Sequence, residues 1–210
     1  LHIKYESNMW VACGEGTNTL AYSFNGTTWN PGRTTTHTDS TNIFSTRAKC
    51  AAYNGMVWVA VGIGTNSIAY SEDGITWIGL GVGDLANGYS VACDGTKFIV
   101  AGDDSSGDGK MLSSNNGKDW TNIAGISTLF NTRVAGICCD GNNTWCATGR
   151  DNNYMAYSKD NGITWTAISN PVFTGMGNSN INWDGNYFFA STDTGDNLTA
   201  KSKDGVNWQV

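Results

Sequence analysis

Two arginines occupy equivalent places in a repeating sequence, and both could bind an anion. Arg47 and Arg133 each lie seven residues before the Asn or Asp of a predicted tight turn (54−47 and 140−133). Asn87 holds the same place in the repeat between them, and Tyr89 follows it. Guanidiniums at the entrance of one channel could bind a carboxylate or phosphate through paired hydrogen bonds. In the alternative interpretation, the arginines bond backbone carbonyls or acidic residues and hold the linkers in place.

Carboxylates that could catalyse hydrolysis do not occur where this chemistry needs them. Glycoside hydrolysis requires two carboxyl groups about 5–10 Å apart. The predicted innermost strands contain no Asp or Glu; they cover residues 1–5, 49–53, 89–93, 135–139 and 179–183. We therefore predict that the protein is not an enzyme, with a glycosidase as the weaker alternative.

One segment carries alternating oxygen-bearing side chains, as the first half of a calcium-binding loop does. Asp104, Ser106 and Asp108 follow that spacing. The last ligand of such a loop is acidic, whereas Asn115 stands there, and Lys110 adds a positive charge in the middle. The sequence thus favours no cofactor and no metal, with calcium as a weaker expectation.

A fivefold repeat supplies the elements that would position these side chains. Each copy ends in a short phrase that runs from Ser through a glycine-containing turn to Trp, and these tryptophans are Trp29, Trp77, Trp120, Trp165 and Trp208. They are separated by 48, 43, 45 and 43 residues (77−29, 120−77, 165−120, 208−165). A period of about 40–45 residues is that of one four-stranded propeller blade.

The repeat therefore predicts an all-β fold with one domain over residues 1–210. We expect a single five-bladed β-propeller with four antiparallel strands per blade, in blades of approximately residues 1–30, 47–79, 88–123, 133–168 and 178–210. Asn-Gly and Asp-Gly pairs between apolar runs predict type I′ hairpin turns. Because no strand remains to join the two ends, side-chain packing alone should close the ring. Phe44 and Phe130 are expected to plug it.

The repeated phrase resembles the Asp-box, or BNR, repeat of sialidases and sortilin-type receptors, which also occurs in surface proteins of large viruses and phages. Its pattern is Ser-x-Asp-x-Gly-x-Thr-Trp; residues 158–165 match it fully, and the other four copies are one residue shorter. In that family the box is a structural staple between the third and fourth strands, with Ser and Asp bonding the turn and Trp packing over it. The resemblance implies this role for Ser71, Asp73, Trp77, Ser158, Asp160, Trp165, Ser202, Asp204 and Trp208.

Sialidase activity is not implied by the same resemblance. In that family the chemistry needs three converging arginines, a Tyr/Glu nucleophile pair and an Asp acid/base. This chain has only the arginines Arg33, Arg47, Arg133 and Arg150, and no Arg-Ile-Pro segment. The resemblance therefore carries the fold rather than the activity.

Composition limits the partners and the compartment. A net charge of −6 provides no basic stripe for nucleic acid and no attraction to anionic membranes. No stretch approaches the roughly 18 apolar residues that span a bilayer, so membrane insertion is not expected. The six cysteines lack Cys-x-x-Cys spacing and are predicted to be packed free thiols. The chain begins with Leu1 and is expected to be a processed product or part of a longer chain or surface assembly.

A non-enzymatic recognition module is the favoured function, with glycans as ligands, because polar loops on a rigid scaffold suit bonding to hydroxyls. The alternative is a structural or protein-docking propeller of a virion, fibre or cell-surface assembly. Both place the protein outside cells or on a virion, although no targeting signal is visible. The polar segment 33–42 is a possible binding loop or a mobile insertion, and His37 within it is expected to be a solvated surface residue.

Overall fold

The computed structural model describes residues 2–34, 43–150, 153–169, 172–175, 177 and 179–210. In these residues the chain forms five β-sheets, and in four of them the strands are hydrogen-bonded in their sequence order. The first sheet contains β1 (His2–Glu6), β2 (Met9–Cys13), β3 (Leu20–Ser23) and β4 (Asn30–Pro31). A short strand, β5 (Arg33–Thr34), joins the second sheet, which otherwise contains β6 (Arg47–Tyr53), β7 (Trp58–Ile63), β8 (Ile68–Ser71) and β9 (Thr76–Gly79).

The third sheet contains β10 (Asn87–Cys93), β11 (Phe98–Asp103), β12 (Gly109–Ser114) and β13 (Thr121–Asn122), and a four-residue helix α1 (Ile126–Leu129) follows it. The fourth contains β14 (Val134–Cys139), β15 (Trp145–Gly149), β16 (Met155–Ser158) and β17 (Thr166–Ala167). The fifth contains β18 (Ser179–Trp183), β19 (Phe188–Thr192) and β20 (Thr199–Ser202), and its predicted fourth strand is reduced to a bridge between Lys201 and Gln209. The prediction of an all-β fold built from antiparallel sheets is confirmed.

Two short elements, β5 and α1, were not predicted, and both lie in the linkers between sheets. β5 pairs in parallel with β9, through Arg33 with Thr76 and Thr34 with Trp77, and so extends the outer edge of the second sheet. Residues 35–42, which include His37, lie outside the described residues. No helix in the described part of the chain is long and apolar enough to cross a membrane.

Tight turns join the first two strands of each sheet, but most differ from the type I′ prediction. A type I′ turn has positive φ at both central residues, and among these turns Ser7 and Asn8 meet that condition, at 52° and 60°. In the second sheet, the side-chain oxygen of Asn54 instead accepts bonds from the amides of Met56 at 3.0 Å and Val57 at 2.8 Å. Such a side chain fixes the turn locally, so only the following glycine needs a positive φ.

Each sheet packs face to face on the next one. We call the face that contacts the preceding sheet upstream and the opposite face downstream. The upstream face of the second sheet and the downstream face of the first share one buried cluster, formed mainly by Ala51, Trp58, Ala60, Ala69 and Trp77 against Met9, Val11, Cys13, Leu20 and Tyr22. Equivalent clusters join the second sheet to the third, the third to the fourth and the fourth to the fifth.

The two terminal sheets are covered on one face only. Every residue of β11 and of β15 is buried, whereas in β19 every second residue is exposed. Ile3 and Tyr5 on the upstream side of β1 remain 46% and 47% exposed. Among the described residues no buried cluster joins the fifth sheet to the first, so the expected closure of a ring by side-chain packing is not found.

Two phenylalanines fill the space between linker and sheet. Phe44 and Phe130 are fully buried, and each lies on the glycine near the end of its sheet's second strand. A Cβ atom on Gly62 would come within 2.6 Å of Phe44 Cδ1, and one on Gly149 within 2.3 Å of Phe130 Cδ1. These positions therefore require glycine, and both phenylalanines are core residues.

Candidate functional site

The first strands of all five sheets line one channel. At their N-terminal ends lies a cavity of about 430 Å³, the channel mouth, lined by His2, Lys49, Cys50, Tyr89, Ser90, Arg133, Ala135, Ser179 and Asn180. A larger cavity of about 700 Å³ extends towards the tight turns and shares four of these residues, His2, Cys50, Ser90 and Asn180. The channel is thus open at the end where the linkers enter.

Three β-bulges aim side chains into the channel mouth. In β6 the pairing passes from Ala48 to Cys50, in β10 from Gly88 to Ser90 and in β14 from Val134 to Gly136. A bulge inserts one residue without a partner and changes the direction of its side chain. The inserted residues are Lys49, Tyr89 and Ala135, and all three line the mouth.

Tyr89 lies at the centre of the polar groups of the mouth. The guanidinium carbon of Arg133 is 5.2 Å from the centre of its ring, and Lys49 Nζ is 6.0 Å away. The Tyr89 hydroxyl donates to one carboxylate oxygen of Asp103 at 2.8 Å, and the Asn87 amide donates to the other at 2.7 Å. Asp103 is buried, so its charge is held by these two donors rather than presented to the channel.

The electrostatics of the channel mouth favour an anionic ligand. Partial burial, followed by the nearby charges of Arg47 and Arg133, lowers the pKa of Lys49 from its usual value. Partial burial and the bond to Asp103 raise the pKa of Tyr89, so its hydroxyl remains a donor at neutral pH. Like charges held close together destabilise each other until a negative group binds between them.

The two arginines predicted to act together have different neighbours. Arg47 forms an ion pair with Glu15 at 3.7 Å, outside the lining of the mouth. Arg133 lines the mouth, and its guanidinium also donates to the carbonyl of Gly177 at 3.4 Å, an oxygen that Arg150 Nε bonds at 2.9 Å. Lys49, which the sequence did not single out, is therefore the second cation of the mouth.

The channel wall contains one carboxylate, contrary to the expectation of none. β1 extends to Glu6, which lines the deeper cavity and forms an ion pair with Lys4 at 3.1 Å. The sequence placed Glu6 in the turn, but in the structure Ser7 and Asn8 form that turn and Glu6 ends the strand. Of the described residues that line the two cavities, Glu6 is the only acid, which is one carboxylate where glycoside hydrolysis uses two.

The thiols of the channel are poor nucleophiles. All six cysteines are free, and Cys50, Cys93, Cys138 and Cys139 line the deeper cavity. Burial raises the pKa of Cys93 to about 11 and that of Cys139 to about 12. Since the thiolate is the reactive form, these side chains pack as small apolar groups at neutral pH.

Four of the five repeated phrases share one complete hydrogen-bond pattern, whereas the third keeps the Ser114 bonds to Asn116 and Gly117 but leaves the Trp120 indole without a partner among the described residues. In the second sheet Ser71 Oγ donates to Asp73 at 2.9 Å and accepts from the Gly74 amide at 2.8 Å, while the Trp77 indole donates to the Gly74 carbonyl at 3.2 Å. The same bonds recur at Ser158, Asp160, Gly162 and Trp165 and at Ser202, Asp204, Gly205 and Trp208. The geometry is that of a staple which closes the turn.

The charge of Asp160 makes the stability of the fourth phrase depend on pH. Bonds from the Thr164 hydroxyl and then from its amide favour the charged carboxylate and lower the pKa of Asp160 to about 2. Because this value lies below the roughly 3.9 of a free Asp, Asp160 stabilises the fold above about pH 4 and loses that contribution as the pH falls through 2.

We expect Asp160→Asn to unfold at a slightly lower temperature at pH 7 and to show a flatter decline between about pH 4 and 2. Asn already occupies the equivalent place at Asn25 and Asn116, where its oxygen accepts the same backbone amides. Thermal unfolding followed by circular dichroism across this range provides the measurement. Asp108→Asn, outside the phrases, serves as the control, and an unchanged slope in Asp160→Asn would contradict the assignment.

The segment that resembles half a calcium loop is closed by its own backbone. The carboxylate of Asp104 accepts the amides of Ser106 at 2.8 Å and Asp108 at 3.1 Å. In the described part of the chain no group of three or more His, Cys, Asp or Glu side chains could hold a metal ion.

Solved structures with the same fold are distant in sequence. An ancestral GH74 enzyme superposes with a TM-score of 0.69 and 15% identity over 99% of this chain, and YCF48 bound to a D1 peptide with 0.57 and 19% over 77%. The nidogen/laminin complex gives 0.63 and 14% over 93%. The chain folds as a β-propeller. At these identities the similarity shows the fold alone.

No family model and no curated protein matches the sequence. The chain spans 53% of the YCF48 chain, 30% of the ancestral GH74 chain and 75% of the matched chain of the nidogen/laminin complex. The resemblance of the repeated phrase to the Asp-box remains a prediction.

Proposed function

We propose that this protein is a non-enzymatic recognition module that binds an acidic glycan at the channel mouth. The observation that carries the proposal is the convergence of Lys49 and Arg133 on Tyr89, at 6.0 and 5.2 Å, in a chain of net charge −6. A sugar carboxylate would bind the two cations, and Asn180 and Ser179 would bond neighbouring hydroxyls. The five sheets would serve as five blades around this channel.

A place on the exterior of a cell or virion belongs to the same proposal, because glycans are displayed there. The absence of catalysis is likewise part of it. Glu6 is held by Lys4 at 3.1 Å, and Asp103 is held by Asn87 and Tyr89, so neither carboxylate is presented for attack on a sugar. Turnover of a fluorogenic sialoside or glucoside, lost in Arg133→Ala, would overturn this part.

The test compares two lysines in similar local settings. Lys49 lies near the ring of Tyr89 at 6.0 Å, and Lys201 lies near the ring of Tyr187 at 5.3 Å on the outer face of the fifth sheet. On a glycan array followed by calorimetry, Lys49→Gln should weaken binding of carboxylate-bearing glycans at least tenfold, about 1.4 kcal/mol. Lys201→Gln should stay within about twofold of the unmodified protein. Binding to no acidic glycan, or equal losses in both variants, would contradict the proposal.

A protein-docking function is the second candidate. Two of the structural neighbours were solved with a bound peptide or protein partner, which is said of those proteins only. The carboxylate of a peptide C-terminus would fit the same cations. Binding of a peptide library in its free-acid form, lost on C-terminal amidation and without any glycan binding, would favour this candidate.

A further inference from the structure

The upstream face of the first sheet is apolar and uncovered. It consists of Ile3, Tyr5, Trp10, Ala12, Ala21 and Trp29, which we call the first-sheet face. Tyr5 and Trp10 are cross-strand partners with ring centres 4.5 Å apart. The equivalent residues of the second sheet, such as Trp58 at 1% exposure, are buried against the first sheet.

The glycine of each repeated phrase shows independently that a neighbour is missing here. In the second to fifth sheets a Cβ at this glycine would meet a side chain of the preceding sheet, at Met9, Val59, Ile99 and Cys146 respectively. At Gly26 of the first sheet the nearest atoms belong to Trp10 of the same sheet. The exposure of the tryptophans also indicates a missing neighbour, because Trp29 is 37% exposed whereas Trp77 is 1% exposed.

The free face at the other end of the molecule is a poor cover for this surface. The downstream face of the fifth sheet carries the exposed residues Asn182, Phe189, Ser191, Thr199 and Lys201. Packing it on the first-sheet face would bury a lysine and several hydrogen-bonding groups against Tyr5 and Trp10 without partners. Burying such groups unpaired costs free energy, so a head-to-tail contact is disfavoured.

We propose that the first-sheet face binds the same face of a second copy of this chain, in a two-fold symmetric dimer. The face bears no charge, so two acidic chains can bring it together without opposing like charges within the contact. Tyr and Trp are the residues that contribute most at interfaces. A two-fold contact is also closed, so it yields dimers rather than polymers.

The size of the face sets the strength of the dimer. Three strands about 4.8 Å apart and five residues long, at about 3.4 Å per residue, present a face of roughly 250 Å² in projection. Even with the relief of the side chains and Trp29 added, this is below the roughly 800 Å² per partner of a standard interface. The dimer should therefore be weak and reversible.

Sedimentation velocity over roughly 1–500 µM protein brackets such an association. We expect the unmodified chain to shift from monomer to dimer within this range. Ile3→Lys and, separately, Tyr5→Glu should raise the dissociation constant at least tenfold, while Ser191→Lys on the outer face of the fifth sheet should leave it within twofold. Circular dichroism verifies that each variant is folded.

Three outcomes would overturn the proposal. The unmodified chain could stay monomeric at every concentration. It could grow into oligomers beyond the dimer that Ser191→Lys disrupts as strongly as Ile3→Lys, which would show a head-to-tail contact. Folded Ile3→Lys and Tyr5→Glu could both dimerise like the unmodified chain, which would place the contact elsewhere.

Discussion

Replacing Trp77 by Ala should lower the free energy of unfolding by about 3–5 kcal/mol, the range for removing a large aromatic side chain from a core. Trp77 is 1% exposed and belongs to the cluster that joins the first two sheets. Its indole packs in one cluster with Leu20 of β3, and a Cβ on Gly32, which follows β4, would lie 3.3 Å from Trp77 Cδ1. Truncation would leave a cavity at the contact between the sheets, which the two rigid strands flanking it cannot collapse to fill.

Trp29→Ala is the matched control for this experiment. Trp29 and Trp77 hold the same place in their phrases, and each indole donates to a glycine carbonyl at 3.2 Å. They differ in burial, so Trp29→Ala should cost only about 1 kcal/mol. Urea unfolding is measured below 1 µM protein, roughly the lower limit of the proposed association. Dimerisation then does not contribute to the difference between the two variants. Equal costs for the two substitutions would show that the hydrogen bond, and not the burial, carries the stability.

Gly102→Ala should destabilise the protein by about 3 kcal/mol and should also weaken ligand binding at the channel mouth. The added Cβ would lie 1.9 Å from the carbonyl oxygen of Asn87 and 3.0 Å from Leu85 Cδ1. A backbone oxygen cannot rotate away as a side chain can, so the start of β10 must move. That movement would displace Asn87, whose amide bonds Asp103, and Tyr89, which lies two residues further on.

Gly83→Ala separates this local clash from a general effect of alanine. No atom lies within 4 Å of the position its Cβ would take, so the substitution should change stability by less than about 0.5 kcal/mol. Both variants are measured by urea unfolding and by calorimetry with an acidic glycan. A Gly102→Ala protein with unchanged stability would contradict the packing at the end of β11.

The strands and the repeated phrases could be predicted because they depend on local sequence. A Ser, an Asn or Asp, and a glycine within four residues are enough to form the turn bonds seen at Ser71 and Asp73. A Trp followed by small and β-branched residues, the pattern of a strand packed on both faces, likewise located β7 and β15. The prediction of ordinary hairpins was less accurate, because Asn54 and its equivalents bond the backbone themselves.

The candidate site was only half visible in the sequence, because its geometry depends on contacts between sheets. Arg47 and Arg133 have the same spacing to their turns, yet the loop of the first sheet brings Glu15 to Arg47 alone. Lys49 is the inserted residue of a bulge, and a bulge has no sequence signal beyond the small residues around it. The exposed upstream face of the first sheet was hidden for the same reason: its residues match those buried in the other sheets.

The bulges separate the side chains that line the channel mouth from the paired residues that hold the sheets together. Lys49, Tyr89 and Ala135 have no partner in the strand pairing, whereas the residues on either side of them are paired. The same bulged backbone therefore presents three side chains of very different size and charge. The entrance of the propeller can be given another chemistry by exchanging Lys49 and Ala135, whereas position 89 must keep a donor for the buried carboxylate of Asp103.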